Sequence, residues 1–385
     1  MKFKKGITNL LRDCCIVLFA FAAMFILAAI AFNTSFMNPV AQTMKDFSLT
    51  DIYYYVMNDH GRVDTSRVVT IVDMTDLTDR ADIVDVLEEI ENMNPKVVGV
   101  DVVFEGLKPD SMADMRVREV VSRYSNVVFS YRLNNFVNDS VGYEKDTHSF
   151  FADEFSVKEG FTNYERSLYG GIKRKITLKS ICRGEKRNSL VYEVAQLYTD
   201  GQLAPHESNV VNVNFRPTVF RVVPFDSVKY HRDWIEDQIV LYGATRELYD
   251  LHYTPLGEMA GVELLAYSLQ TLLEQSEVIP VGAVTTAIVS FLLVLITYIG
   301  KTKYVEWAKG RKNEWVRFFL TTTFVVGFLL FLWTGFLAYC GFLIFVWTNI
   351  SFSFGWTMAA LPFLYGAGEF YGLTIRRVVG GFTLF

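Results

Sequence analysis

The sequence predicts an α/β extracytoplasmic domain with a mostly parallel mixed sheet, plus a four-helix transmembrane region of one N-terminal and three C-terminal spans. Three observations lead there. The chain is 51% hydrophobic yet 21% charged, too apolar for an average soluble protein and too charged for one held wholly in lipid. Charge is unevenly spread: from Phe318 to Gly368 there is no Asp, Glu, Lys or Arg. Between the apolar segments, short β-branched runs alternate with segments of helical period, the pattern of βαβ units in a covered sheet.

The first span is Cys14–Phe32, CCIVLFAFAAMFILAAIAF, 19 uncharged residues. A bilayer core takes roughly 20 helical residues. The run is too long for a signal-peptide core and lacks a clear cleavage site, so it reads as a retained anchor. The second span is Val278–Ile299, with Pro280 in its first turn, where no amide partner is lost. The charge-free stretch of 51 residues has room for two more, at 318–337 and 342–365, with Ala338-Tyr339-Cys340-Gly341 as the turn between them.

Basic residues set the orientation. They precede the first span within 1–13 (Lys2, Lys4, Lys5, Arg12), fill the loop 300–317 (Lys301, Lys303, Lys309, Arg311, Lys312, Arg317), and occur in the tail 366–385 (Arg376, Arg377). Four crossings put all three clusters on one side. Both termini are then cytoplasmic and residues 33–277 lie outside.

Along the outside domain, RVVTIVD (67–73) reads as a strand. The helix after it has Ile83, Val84, Val86, Leu87, Ile90 and Met93 as apolar positions and stops at Asn94-Pro95. KVVGVDVVF (96–104) is the next strand. A second helix carries Met112, Met115, Val117, Val120, Val121 and Tyr124, and NVVFSYRL (126–133) is a third strand. Residues 134–170 show no clear period and read as a long excursion. GIKRKITL and NVVNVNF are expected strands with a helix, NSLVYEVAQLY, between them. DQIVLYGA (237–244) is the last core strand. GVELLAYSLQTLLEQ (261–275) is an amphipathic helix that runs almost directly into the second span, with Leu265, Leu269 and Leu272 among its apolar positions.

Several function classes are disfavoured. A net charge of −5 argues against nucleic acid. Cys182 is the one cysteine in the polar region, so no disulfide forms within it. No cysteine metal spacing, GxSxG, HExxH or phosphate-cradling loop occurs, so neither enzyme activity nor a cofactor or metal is expected. The expected spans carry no ionisable groups on a transport pathway.

One polar constellation stands out. Asp73 and Asp101 fall at or near the ends of parallel strands, where open α/β sheets bind ligands. Thr245, Asp250 and His252 follow another strand and can reach the same edge. They form a candidate small-molecule or cation pocket, and the competing reading is that they cap helices and satisfy turn amides. Glu263 favours the first turn of its helix. Gly261 permits close approach of helix to sheet. With Leu265, Leu269, Leu272 and Pro280 these residues form a candidate coupling element between domain and membrane.

The chain resembles the second type of CHASE domain, extracytoplasmic sensory modules of bacterial cyclases and kinases. The matching stretches are VVTIVDMTD, VVGVDVVF, SLVYEVA and, above all, IVLYGATRELYDLHYTPLGEMAGVELLAYSLQTLL. One span before the domain and three clustered after it also fit. The family's insert with Pro and Trp before the first helix is reduced here to MTDLTDRAD. The resemblance implies a multi-pass protein of the bacterial inner membrane, with a periplasmic domain. It also implies a sensor or scaffold that signals to a separate cytoplasmic output protein. The alternative is a structural subunit of an envelope or membrane complex with no ligand. The expected partners are the lipid bilayer and that output protein or those complex subunits. A homo-oligomer is compatible with both readings.

Overall fold

In a computed structural model the protein is described over residues 2–33, 49–60, 63–109, 111–164, 171–206, 208–247 and 250–382. Parts of the expected outside domain, at 34–48 and 165–170 among others, and the last three residues of the tail lie outside the described residues. The chain forms two compact units. One is Asp51–Val278; the other joins Met1–Thr50 to Ile279–Phe385.

The Asp51–Val278 unit carries β1 (Asp64–Asp73), β2 (Val97–Val100), β3 (Val127–Asn138), β4 (Gly142–Thr147), β5 (Lys158–Phe161) and β6 (Lys175–Thr177). It continues with β7 (Lys179–Cys182), β8 (Glu185–Asn188), β9 (Val210–Asn212), β10 (Thr218–Pro224) and β11 (Ile239–Gly243). The sheet runs β10-β1-β11-β2-β3, and β5 lies parallel to the first half of β3. All these pairings are parallel. The second half of β3 turns back as an antiparallel hairpin with β4, and β7 and β8 extend that edge. The sheet is thus mixed and mostly parallel, as the sequence predicts.

Buried strands use both faces. Val72, Val98, Val100, Val127, Phe129, Val240 and Tyr242 pack with Ile83, Val84, Leu87, Val117 and Val120 from the helices Arg80–Glu91 and Ser111–Val121. On the opposite face lie the helices Leu190–Tyr198 and Gly261–Leu273, packed on each other and on the strands. Gly99 permits this closeness: a Cβ there would stand 3.0 Å from a Val194 methyl. Asp79 caps the helix Arg80–Glu91 through the Ala81 amide at 2.8 Å, and Asn94, with φ of 56°, follows its end.

β11, the last core strand in sequence, lies between β1 and β2 in the sheet. Several expectations need correction. The excursion 134–170 contains β4 and β5. GIKRKITL and NVVNVNF supply β6 and β9, which form a separate antiparallel ribbon. Met112 and Met115 are exposed, not part of the helix's buried face. The helix Gly261–Leu273 does not run into the membrane segment: Gln275 takes a φ of 50° and breaks it.

The second unit contains three helices long and apolar enough to cross a membrane, within Asn9–Ala29, Ala283–Lys309 and Thr323–Thr348. Pro280 is not in the first turn of its helix. It sits in the two-residue β14 (Ile279–Pro280), which follows β12 (Leu251–Thr254) and β13 (Gly257–Ala260) in sequence and pairs with β15 (Ile350–Ser351). The expected turn at 338–341 lies inside the 26-residue helix Thr323–Thr348. One glycine costs a helix only about 1 kcal/mol, too little to stop a strongly apolar run. The stop is Asn349, left-handed at φ of 57°. The stretch expected as the fourth span, 342–365, is therefore divided. Its start ends that helix, and its remainder enters Gly355–Ala360, one 3-10 turn at Leu361–Phe363 and the helix Leu364–Phe382. Ile16, Val17, Ala20, Val294, Ala360 and Leu364 form the core of this unit.

Candidate functional site

The carboxyl ends of β2, β5 and β11 and the first half of β3 converge on a cavity of about 380 Å³. It is lined by Asp101, Val103, Ser130, Arg132, Thr162, Asn163, Tyr164, Glu247, Asp250 and His252. This is the crevice where open parallel sheets take ligands, and its volume falls within the usual small-molecule range. Asp101 directly follows β2; its amide donates to the Tyr242 carbonyl at 2.8 Å, fixing it beside β11. Close approach on this side needs Gly243, since a Cβ there would lie 3.2 Å from the Asp101 Cβ.

The hairpin β12–β13 brings Asp250 and His252 to the cavity. The imidazole Nε2 stands 3.3 Å from Asp250 Oδ1 without hydrogen-bond geometry, so it counts as unpartnered among the described residues. The ring meets Tyr164 edge-on, centroids 4.6 Å apart. The hairpin turn is Thr254-Pro255-Leu256-Gly257. Thr254 Oγ1 closes it by accepting the Leu256 amide at 3.2 Å.

The cavity wall is also the start of the helix Gly261–Leu273. Tyr164 donates its hydroxyl to the Gly261 carbonyl at 2.8 Å. A Cβ on Gly261 would fall 2.2 Å from Asp250 Oδ2, so the carboxylate rests directly on the first turn, where the helix dipole favours it. Glu263 reaches back to the Ala260 amide at 3.2 Å, one half of a capping box; Ala260 has no polar side chain to return the bond. Leu265, Leu269 and Leu272 are fully buried and carry the helix on β1 and β11.

Asp73 and Thr245 do not line the cavity. Asp73 Oδ1 accepts the Thr75 amide at 3.0 Å, the Thr75 hydroxyl at 2.5 Å and the Thr245 amide at 3.1 Å. This knot ties the end of β1 to the end of β11. Burial opposes the charge, but the hydrogen bonds from Thr75 and Thr245 hold this carboxyl below its ordinary range.

Asp101 is tuned the other way. Burial first, then the neighbouring charge of Asp250, pushes its pKa up to about 7, against the opposing pull of Arg132 and His252. Burial and the same two carboxylates hold the Tyr164 hydroxyl well above its usual value. Ser130, 1% exposed, has a hydroxyl with no hydrogen-bond partner among the described residues. Asn163 is structural, pairing with both the amide and the carbonyl of Leu133. Among the described residues no group of three His, Cys, Asp or Glu is placed to hold a metal ion.

The sequence reading missed Ser130, Arg132, Tyr164 and Glu247. Arg132 left a signal, the one charge in the strand β3. Tyr164 left none, because its position depends on β5 joining β3.

No curated protein and no solved structure matches the chain. The CHASE2 domain family matches residues 22–299, a range holding the Asp51–Val278 unit, the end of the first apolar helix and the start of the second. With that family a sensory one and three apolar helices beside its domain, the chain belongs to the CHASE2 domain family.

Proposed function

We propose that this protein is a multi-pass sensor of the bacterial inner membrane whose periplasmic domain binds a small molecule at the sheet edge. The helix Gly261–Leu273 passes the bound state to the membrane helices, and a cytoplasmic partner reads it through the basic segment 300–317. One observation carries this reading. The wall of the cavity and the first turn of that helix are the same structure, joined by Tyr164 on Gly261 and Asp250 against it.

The connection to the membrane is short. Ser276 is held by Asn214 at 2.7 Å and Val278 by Asn212 at 3.2 Å, both within the domain. From Ile279, the next bonds are to Asn349 and Ser351 of the membrane unit, each at 2.9 Å. A shift of the helix thus has little slack in which to dissipate. Binding rather than catalysis also fits the geometry. Ser130 makes no hydrogen bond to His252, so the imidazole is not placed to activate this hydroxyl as a nucleophile.

The test is thermal unfolding of the full chain in nanodiscs against fractionated cell-envelope small molecules. At a hundredfold excess over its Kd a ligand stabilises by about 2.7 kcal/mol, a rise of about 5–10 °C for a domain of this size. Gly261→Ala displaces the Asp250 carboxylate and is expected to remove that rise while the variant still unfolds cooperatively. A complete absence of protecting fractions contradicts the ligand reading and favours a structural subunit.

The broken helix Gly355–Phe382 makes the fourth crossing in this account. Single cysteines at Lys312 and Arg377, in a background without the native cysteines, are expected to resist an impermeant reagent added outside. A cysteine at Asp139 is expected to react. Labelling of position 377 from outside would exclude four crossings.

A further inference from the structure

The charges around the cavity select a ligand class. Among the described residues that line it, Asp101, Glu247 and Asp250 face one cation with fixed charge, Arg132. Arg132 has no ion pair among the described residues. An acidic cluster alone would indicate little. Here the buried Ser130 hydroxyl, 1% exposed and lining the cavity, has no hydrogen-bond partner among the described residues, and neither has His252 Nε2. Buried polar atoms in folded proteins are nearly always satisfied, so these two point to a group that arrives from outside.

We infer that the cavity binds a small zwitterion with a primary ammonium group, of the free amino acid class. The ammonium meets Asp101 and Asp250, with the Ser130 hydroxyl or the His252 nitrogen accepting a further N–H. The carboxylate meets Arg132. This rests on the ligand-binding reading above. A phosphate or other anion would face three carboxylates. A neutral sugar would leave their repulsion uncompensated, and a polyamine would leave Arg132 repelled and unpaired. A zwitterion places each charge against its opposite.

A proton competes with the ammonium for Asp101. Among the described residues, the charged and titratable groups around that carboxyl are Asp250, Glu247, Arg132, His252 and Tyr164. Since Asp101 titrates at about 7, apparent affinity is expected to rise about tenfold from pH 6 to pH 8.

The experiment uses the full chain in nanodiscs, with thermal midpoints measured at pH 6 and 8. The probes are the twenty free amino acids, their N-acetyl derivatives, putrescine, inorganic phosphate and glucose. At least one amino acid is expected to protect, with the tighter binding at pH 8, and its N-acetyl derivative is expected not to. Arg132→Gln and Asp101→Asn are each expected to weaken that binding at least about tenfold. If putrescine, phosphate or glucose protects and no amino acid does, the zwitterion class is overturned while the ligand-binding reading stands. Amino-acid protection that survives both substitutions also overturns the assignment, because the site is then elsewhere. If no probe protects, the inference fails, and the envelope fractions decide the broader reading separately.

Discussion

Arg80→Ala is expected to destabilise the water-exposed domain by about 3–5 kcal/mol, the cost of breaking a buried ion pair from one side. Arg80 Nη1 lies 2.7 Å from Asp114 Oδ1, and the two side chains are 7% and 3% exposed. The same guanidinium donates to the carbonyls of Gly106 at 2.8 Å and Glu105 at 2.7 Å. Asp114 Oδ2 accepts the Lys108 amide at 2.8 Å. The pair therefore pins the loop after β2 to the helices Arg80–Glu91 and Ser111–Val121. Alanine at position 80 strands a buried carboxylate and two carbonyls. For a domain of this size the thermal midpoint should fall by about 10 °C or more. Asp114→Ala should cost a similar amount, and Arg80→Met with Asp114→Leu less than the two single losses combined. The pH dependence follows from Asp114. Burial opposes its charge, but the Lys108 amide and Arg80 hold its pKa below 3.8. Its contribution is present above that value and is lost as pH falls through the lower, folded one.

Asp101→Asn should have the opposite sign. The folded domain raises this carboxyl from 3.8 to about 7, so the folded state binds its proton more tightly than the unfolded chain does. The stabilisation is complete below 3.8 and is lost as pH rises to about 7. At pH 8 the ligand-free domain holds a half-buried carboxylate repelled by Asp250. Asparagine removes that repulsion, and the midpoint is expected to rise by about 5 °C at pH 8 and to change little at pH 5. A variant less stable than the native chain at pH 8 would show that the Asp101 charge is already satisfied. The same substitution is expected to weaken ligand binding, so more stability and less binding would come from one side chain. That trade-off is common where a site holds unfavourable charge for its ligand.

The local part of this structure was legible in the sequence. β1, β2, the start of β3 and β11 are β-branched runs that only burial on both faces explains. Asp79 and Asn94-Pro95 bound their helix by ordinary capping chemistry. Three spans follow from apolar length. Strand order was not legible: β11 lies between β1 and β2 through pairing of residues about 140 to 170 positions apart (Val98 and Thr70 each with Val240), which no local period records. β5 and β10 are a short strand and an edge strand whose alternation is weak. The long helix through Gly341 was misjudged because a glycine looks like a turn, although a Cβ there would strike the Phe354 ring at 2.0 Å, a packing reason for the residue. At the site, Asp101, Asp250 and His252 were legible because they follow strand ends. Asp73 and Thr245 have the same sequence context, but local amides take up the Asp73 carboxylate. Ser130 and Tyr164 reach the cavity only through the pairing of β5 with β3.

The central claim is that the cavity and the helix Gly261–Leu273 move as one piece and load the membrane connection. Hydrogen exchange on the full chain in nanodiscs, native against Tyr164→Phe, tests it most directly. The substitution removes only the hydroxyl that bonds to the Gly261 carbonyl. Faster exchange is predicted across residues 261–273 and onward through 274–286. A change confined to the neighbourhood of residue 164 and the hairpin 250–260, with the helix and its membrane connection unaltered, would contradict the account.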